Sequence, residues 1–180
     1  MKIVLTGFMG TGKSVVGRRL AERLALPFID LDDVIEASAH MTIPEIFASE
    51  GESGFRRRER EIITRMANRS SCVLATGGGA VLDPENLRNL KTGAVLVCLT
   101  ADPAVVLHRL KDDAGRPLLQ SPDRLTRICE LLEQRAAAYA QADLTIDTST
   151  ADVEKIVDRI LGHLGIDRQT QLAPLPLGEG

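Results

Sequence analysis

Gly7-Phe8-Met9-Gly10-Thr11-Gly12-Lys13-Ser14 is the stretch on which the fold turns. Its spacing is G-x-x-x-x-G-K-[ST]. In that pattern glycines let backbone N–H groups close around phosphate oxygens, the lysine places a point charge near the β- and γ-phosphates, and the final hydroxyl ligates Mg²⁺. The helix that follows aims its positive end at the same anion. From average residue frequencies, a chance match in a chain this long is roughly a one-in-a-hundred event. The flanks fit the mechanism. Lys2–Thr6 reads as a buried strand before the loop, and Val16, Leu20 and Leu24 repeat at helical spacing after it.

Working outward, four further apolar runs read as buried parallel strands: Pro27–Leu31, Cys72–Thr76, Ala94–Thr100 and Leu144–Asp147. Helical patterns lie between them. Asp102-Pro103 reads as a cap and first turn opening a helix at Ala104–Leu110. Ser121-Pro122-Asp123 opens a long helix to about Ala140, and Val153–Leu164 forms a last amphipathic helix. Strands alternating with helices predict an α/β fold around a parallel sheet. Two stretches break the alternation. Asp32 to Arg69, punctuated by Pro44 and Gly51, predicts two or three helices packed as a substrate-binding insert at about 32–61. Residues 111–121 read as a lid loop, and 169–180 as a disordered tail after a single domain over 1–168.

Composition bounds the function classes. The chain has 180 residues and a formal charge of −3, which argues against nonspecific binding to nucleic acid or a membrane surface. There is no Trp and one Tyr, so a base-stacking platform is not expected. Seventeen of the 22 basic residues are Arg, the better side chain for gripping flat anions. Cys72, Cys98 and Cys129 are far apart and predict reduced, partly buried thiols rather than a zinc site or a disulfide. No apolar run reaches the ~18 residues of a membrane span, and Ile3-Val4-Leu5 is too short for a signal peptide. A cytoplasmic protein is expected.

The loop alone does not name a reaction. There is no Asn-Lys-x-Asp to read guanine, and Asp112 to Gly115 does not end a strand. A small chain with an insert and a lid points to a metabolite or nucleotide kinase. On the acceptor side, Asp30-Leu31-Asp32-Asp33 ends the second strand, where ligands of open α/β sheets bind. Strand alternation turns Asp30 and Asp32 to one side, one near Mg²⁺ and one near a substrate hydroxyl; helix capping is the plainer reading. Phe55-Arg56-Arg57-Arg58 reads either as an anion grip or as a solvated basic face. Gly77-Gly78-Gly79 reads either as a place where a ligand meets bare backbone or as a flexible turn.

Together the loop, Asp30-x-Asp32, Phe55-Arg56-Arg57, Gly77-Gly78-Gly79-Ala80-Val81 and Arg116-Pro117-Leu118-Leu119 resemble shikimate kinase over roughly residues 1–163. The resemblance implies a nucleoside-monophosphate-kinase-like α/β/α fold with a five-stranded parallel sheet in the order 2-3-1-4-5. It implies MgATP-dependent phosphorylation of the 3-hydroxyl of shikimate by a monomer. Gly10, Thr11, Gly12, Lys13, Ser14 and Val15 would hold ATP, with Arg109 and Ala151 near adenine. Ser14 and Asp30 would serve Mg²⁺. Asp32 would take the proton of the reacting hydroxyl. Arg56 and Arg135 would clamp the shikimate carboxylate, with Gly77, Gly78 and Gly79 against the substrate, and Arg116 would close over the phosphoryl group. The chain departs from the family at Arg135-Ala136-Ala137-Ala138-Tyr139, which lacks the Pro common there, and at Ala151, where relatives often carry a longer polar residue. Gluconate-type and nucleoside-monophosphate kinases are the nearest rivals, and a nucleotide-binding regulatory module is the rival of another class.

Overall fold

Five runs of β-branched and aliphatic residues form the strands β1 (Lys2–Thr6), β2 (Phe28–Asp30), β3 (Cys72–Ala75), β4 (Ala94–Thr100) and β5 (Leu144–Asp147). They pair in parallel in the order β2-β3-β1-β4-β5. This computed structural model describes residues 1–111 and 123–166. The helices are α1 (Lys13–Leu24), α2 (Leu31–Ala39), α3 (Ile43–Ala67), α4 (Pro84–Lys91), α5 (Pro103–Arg109), α6 (Arg124–Tyr139) and α7 (Val153–His163), with a 3₁₀ turn at Ala80–Leu82. Strand pleating divides the core. Val4, Leu74, Leu96 and Cys98 face a layer containing α2 to α6, while Ile3, Leu5, Val73, Val97 and Leu99 face α1 and α7. The sheet is covered on both sides, which is why its strands are continuous apolar runs. Among the described residues, no helix is long and apolar enough to cross a membrane.

β1, β4 and β5 have the predicted bounds, while β2 is one residue shorter at each end and β3 one residue shorter at its C-terminal end. The stretch after β2 is the pair α2 and α3. α3 opens on a Thr42–Glu45 capping box, with Pro44 in its first turn, and bends at Gly51, where φ is +70°. It extends past the predicted insert boundary to Ala67, because Ile62 and Ile63 are buried against the sheet. The lid, including Arg116, lies outside the described residues, except for Lys111 at its edge, as does the tail at 169–180. Cys72 and Cys98 are buried, but Cys129 is exposed, correcting the expectation of three partly buried thiols; it falls on the solvent side of α6.

Candidate active site

The phosphate loop joins β1 to α1. Gly7, Gly10 and Gly12 have φ of +129°, +76° and +93°, values that favour glycine. Gly7 is also a close approach: a Cβ there would sit 2.1 Å from the Leu99 carbonyl oxygen. The Thr11 hydroxyl donates to the Phe8 carbonyl at 2.7 Å and stiffens the turn. The Lys13 ammonium folds over the loop and donates to the carbonyls of Gly7 and Phe8 at 3.0 and 2.8 Å. Asp or Thr side chains cap α2 to α7, but α1 begins at Gly12 with no side-chain cap and no acid in its first turn. Its first N–H groups and positive dipole end thus suit an anion.

A cleft of about 390 Å³ opens above this loop, lined by Gly10, Gly12, Lys13, Ser14 and Val15, by Gly77 and Gly78, and by Asp30, Asp32 and Asp33. Asp30 does two jobs. Its Oδ1 accepts from the Asp32 N–H at 3.2 Å, capping α2, and its Oδ2 accepts from the Ser14 hydroxyl at 2.7 Å. The strand ends at Asp30 and Asp32 sits in the first turn of α2, so the alternation argument that paired them fails. The helix turn nevertheless brings both to one cleft. Three carboxylates beside a single lysine leave an acidic excess, which a triphosphate tolerates only with a cation between. A hydroxyl and a carboxylate already in contact suit Mg²⁺, which takes one or two protein ligands and fills the rest with phosphate and water.

A second cleft of about 410 Å³ adjoins it across the glycine triplet. Its lining carries Arg56, Arg60, Arg127 and Arg135 against Glu52, Glu59 and Asp83, one positive charge in surplus, which matches a single carboxylate. Arg56, on α3, donates to Glu59 at 2.8 Å and to Glu52 at 3.3 Å. Arg135, on α6, is only 4% exposed, stacks over the Phe8 ring at 5.3 Å, and has a buried Nη1 with no hydrogen-bond partner. An uncompensated buried guanidinium N–H is costly in a resting protein and is what a carboxylate ligand would satisfy.

The glycine triplet separates the clefts, and its value is space. None of the three has a left-handed φ. A Cβ on Gly77 would lie 3.2 Å from Glu59 Oε1 and 3.3 Å from Asp32 Oδ1. One on Gly78 would lie 3.2 Å from Arg135 Nη1, and one on Gly79 2.6 Å from Arg56 Nη2. Each missing side chain thus makes room for a predicted site residue. The Gly78 carbonyl accepts from the Tyr139 hydroxyl at 2.7 Å; burial pushes that phenol up to about 12, against the opposing pull of nearby Arg135, so it remains a donor.

Sequence reading missed two neighbours. Glu59 is buried between Arg56 and the Gly77 backbone; burial raises its pKa, Arg56 opposes that, and the charge of Asp32 adds to it. Thr148 ties the nucleotide side together: its hydroxyl lies 3.0 Å from both the Thr11 and the Thr100 carbonyls and shares its one proton between them. Arg109 donates to the Thr148 hydroxyl and carbonyl, at 3.1 and 2.7 Å, and to the Gly10 carbonyl at 3.2 Å, so it braces the rim of the phosphate loop. Ala151 is partly buried on the α1–α7 side of the sheet. Glu59 sits within an apparent charge run, and Thr148 in a Ser/Thr-rich turn, so neither stands out before the chain folds.

The shikimate kinase family model matches residues 9–165. A shikimate kinase of Pelotomaculum thermopropionicum is 44% identical over 162 residues, 90% of this chain and 94% of its own. One of Rhodopseudomonas palustris is 46% identical, covering 90% and 80%. The solved shikimate kinase of Acinetobacter baumannii in complex with shikimate superposes with a TM-score of 0.88 at 38% identity, over 96% of this chain and 95% of that one. A gluconokinase of Sinorhizobium meliloti shares the fold alone, at 20% identity and a TM-score of 0.59. With the family model over most of its length and relatives of this identity, this chain belongs to the shikimate kinase family.

Proposed function

We propose that this chain transfers the γ-phosphoryl group of ATP to the 3-hydroxyl of shikimate, giving shikimate 3-phosphate and ADP on the route to chorismate and the aromatic amino acids. The observation that carries this reading is the buried, unpartnered Nη1 of Arg135, set beside Arg56 in a cleft that meets the phosphate loop at Gly77–Gly79. The two arginines grip the carboxylate and fix the ring. Asp32, on the phosphate side, receives the 3-hydroxyl and takes its proton as the oxygen attacks. Lys13 leaves its loop carbonyls for the phosphate oxygens, and the α1 N–H groups hold the remaining charge. Ser14 and Asp30 would hold Mg²⁺, which when bound neutralises charge building between the β- and γ-phosphates. Phosphoryl transfer asks for positioning and charge stabilisation, and these residues supply both. The family resemblance supports action as a monomer, in the cytoplasm where ATP is plentiful.

ADP formation from MgATP with shikimate, gluconate and AMP as acceptors tests the assignment. Turnover is expected on shikimate alone; turnover on gluconate or AMP without shikimate would overturn it. The triplet gives a finer check. In Gly79→Ala the new methyl displaces the Arg56 guanidinium, and a misplacement of that order weakens a positioned contact severalfold or more. The shikimate KM is expected to rise about tenfold with only a small fall in Tm, because the guanidinium end swings aside but stays beside Glu59. An unaltered KM would show that Arg56 does not hold the substrate.

A further inference from the structure

Three buried polar atoms without a hydrogen-bond partner line the acceptor cleft: Arg135 Nη1, Glu59 Oε1 and Asn86 Oδ1. The first is a donor suited to a carboxylate, and the other two are acceptors. Asn86 lies outside the clamp and outside the family motifs described above. It is only 2% exposed and sits in the first turn of α4. Its backbone is fixed from both sides. Asp83 Oδ1 accepts from the Glu85 and Asn86 N–H groups at 2.8 and 3.3 Å, and Asp83 Oδ2 accepts from Arg60 of α3 at 3.0 and 2.6 Å. The carboxamide is therefore held at the cleft wall by a tied helix start, yet its oxygen is left without a donor. Buried side-chain acceptors are seldom left so, and each exception asks for a reason; here the acceptor cleft beside it supplies one.

We propose that Asn86 is a specificity-determining residue whose Oδ1 accepts a hydrogen bond from one of the two non-reacting ring hydroxyls of the acceptor. This rests on the shikimate reading of the same cleft. A donor-rich, carboxylate-bearing ring fits the wall: Arg56 and Arg135 take the carboxylate, Asp32 the reacting hydroxyl, and Asn86 a hydroxyl elsewhere on the ring. Asn86 then separates polyhydroxylated acceptors from analogues that lack that hydroxyl, because an empty partner leaves the carboxamide orphaned inside the complex.

The test pairs Asn86→Leu and Asn86→Ala with shikimate and with its two analogues lacking one non-reacting hydroxyl each. The wild-type enzyme is expected to use one analogue about five- to tenfold less well in kcat/KM, the range of one neutral hydrogen bond. Both variants are expected to treat that analogue and shikimate alike, with kcat on shikimate within about twofold of wild type because the reacting groups are untouched. Ligand-free Asn86→Leu is expected to melt no lower than wild type, and up to ~2–4 °C higher, because it removes an unsatisfied buried acceptor. A merely structural asparagine would give the opposite sign. Retained wild-type discrimination in both variants, or a Tm several degrees lower for Asn86→Leu, would overturn the proposal. If wild-type enzyme fails to phosphorylate shikimate at all, the substrate reading falls, which is a different result from discrimination that ignores Asn86.

Discussion

Asp32→Asn is expected to lose about a thousandfold in kcat while the shikimate KM stays within a few fold. A carboxamide keeps the shape and still hydrogen-bonds a hydroxyl, so binding survives. It cannot take the proton, and a positioned general base contributes roughly 10²- to 10⁴-fold. The α2 cap survives the substitution, because it is the Asp32 backbone N–H, not its side chain, that meets Asp30 there. Steady-state kinetics beside a thermal melt reads this directly. A variant with kcat within tenfold of wild type would remove Asp32 from proton transfer.

Arg135→Met gives the second large effect, and it falls on the other kinetic constant. A charge-assisted bond to a carboxylate contributes about 1.5–3 kcal/mol, so losing Arg135 should raise the shikimate KM roughly 10- to 150-fold. Stability should move the other way from the usual core mutation. Arg135 Nη1 is buried without a hydrogen-bond partner, so an apolar side chain of similar length removes a desolvated charge and keeps contact with Phe8. The ligand-free Tm is expected to hold or rise. Arg56→Met provides the contrast. Its partner Glu59 is 1% exposed, so removing Arg56 strands a buried carboxylate. Breaking such a pair costs about 3–5 kcal/mol, less here because Arg56 is partly solvated. Both variants should lose shikimate affinity, but only Arg56→Met should melt markedly lower. A large Tm loss in Arg135→Met with normal KM would make Arg135 a structural residue.

The phosphate loop was legible because its chemistry is local: eight consecutive residues between a strand and a helix carry the whole signal. Asp30 and Asp32 were legible as site residues for a reason that fails. Pleat alternation does not apply where the chain turns from strand to helix at Leu31, and the capping carboxylate is Asp30. The helix α4 left a readable mark that went unread. Asp83-Pro84 repeats the cap-and-proline signature of Asp102-Pro103 and opens an eight-residue helix whose buried positions are Asn86 and Leu90. The triplet Gly77–Gly79 was expected to let a ligand meet bare backbone or to form a flexible turn; in the fold it also leaves room for Glu59, Arg135 and Arg56, which converge from α3 and α6. Such fits depend on juxtapositions across 18 to 57 positions, and no local pattern encodes them. The same holds for Thr148, whose role exists only once β5 ends beside the phosphate loop. The excess of Arg over Lys finds a partial meaning here. Arg56 and Arg135 point to a carboxylate, Arg109 braces the loop rim, and others such as Arg19, Arg57 and Arg58 form surface ion pairs of small worth.

The central claim is that one cleft delivers a phosphoryl group to a hydroxyl held in the other. ³¹P NMR of a reaction with MgATP and shikimate tests it most directly, because it shows both the fate of the γ-phosphate and the oxygen that receives it. One phosphate ester at the 3-position is expected for each ADP formed, with inorganic phosphate a minor product. Inorganic phosphate as the main product, or an ester at another hydroxyl, would contradict it.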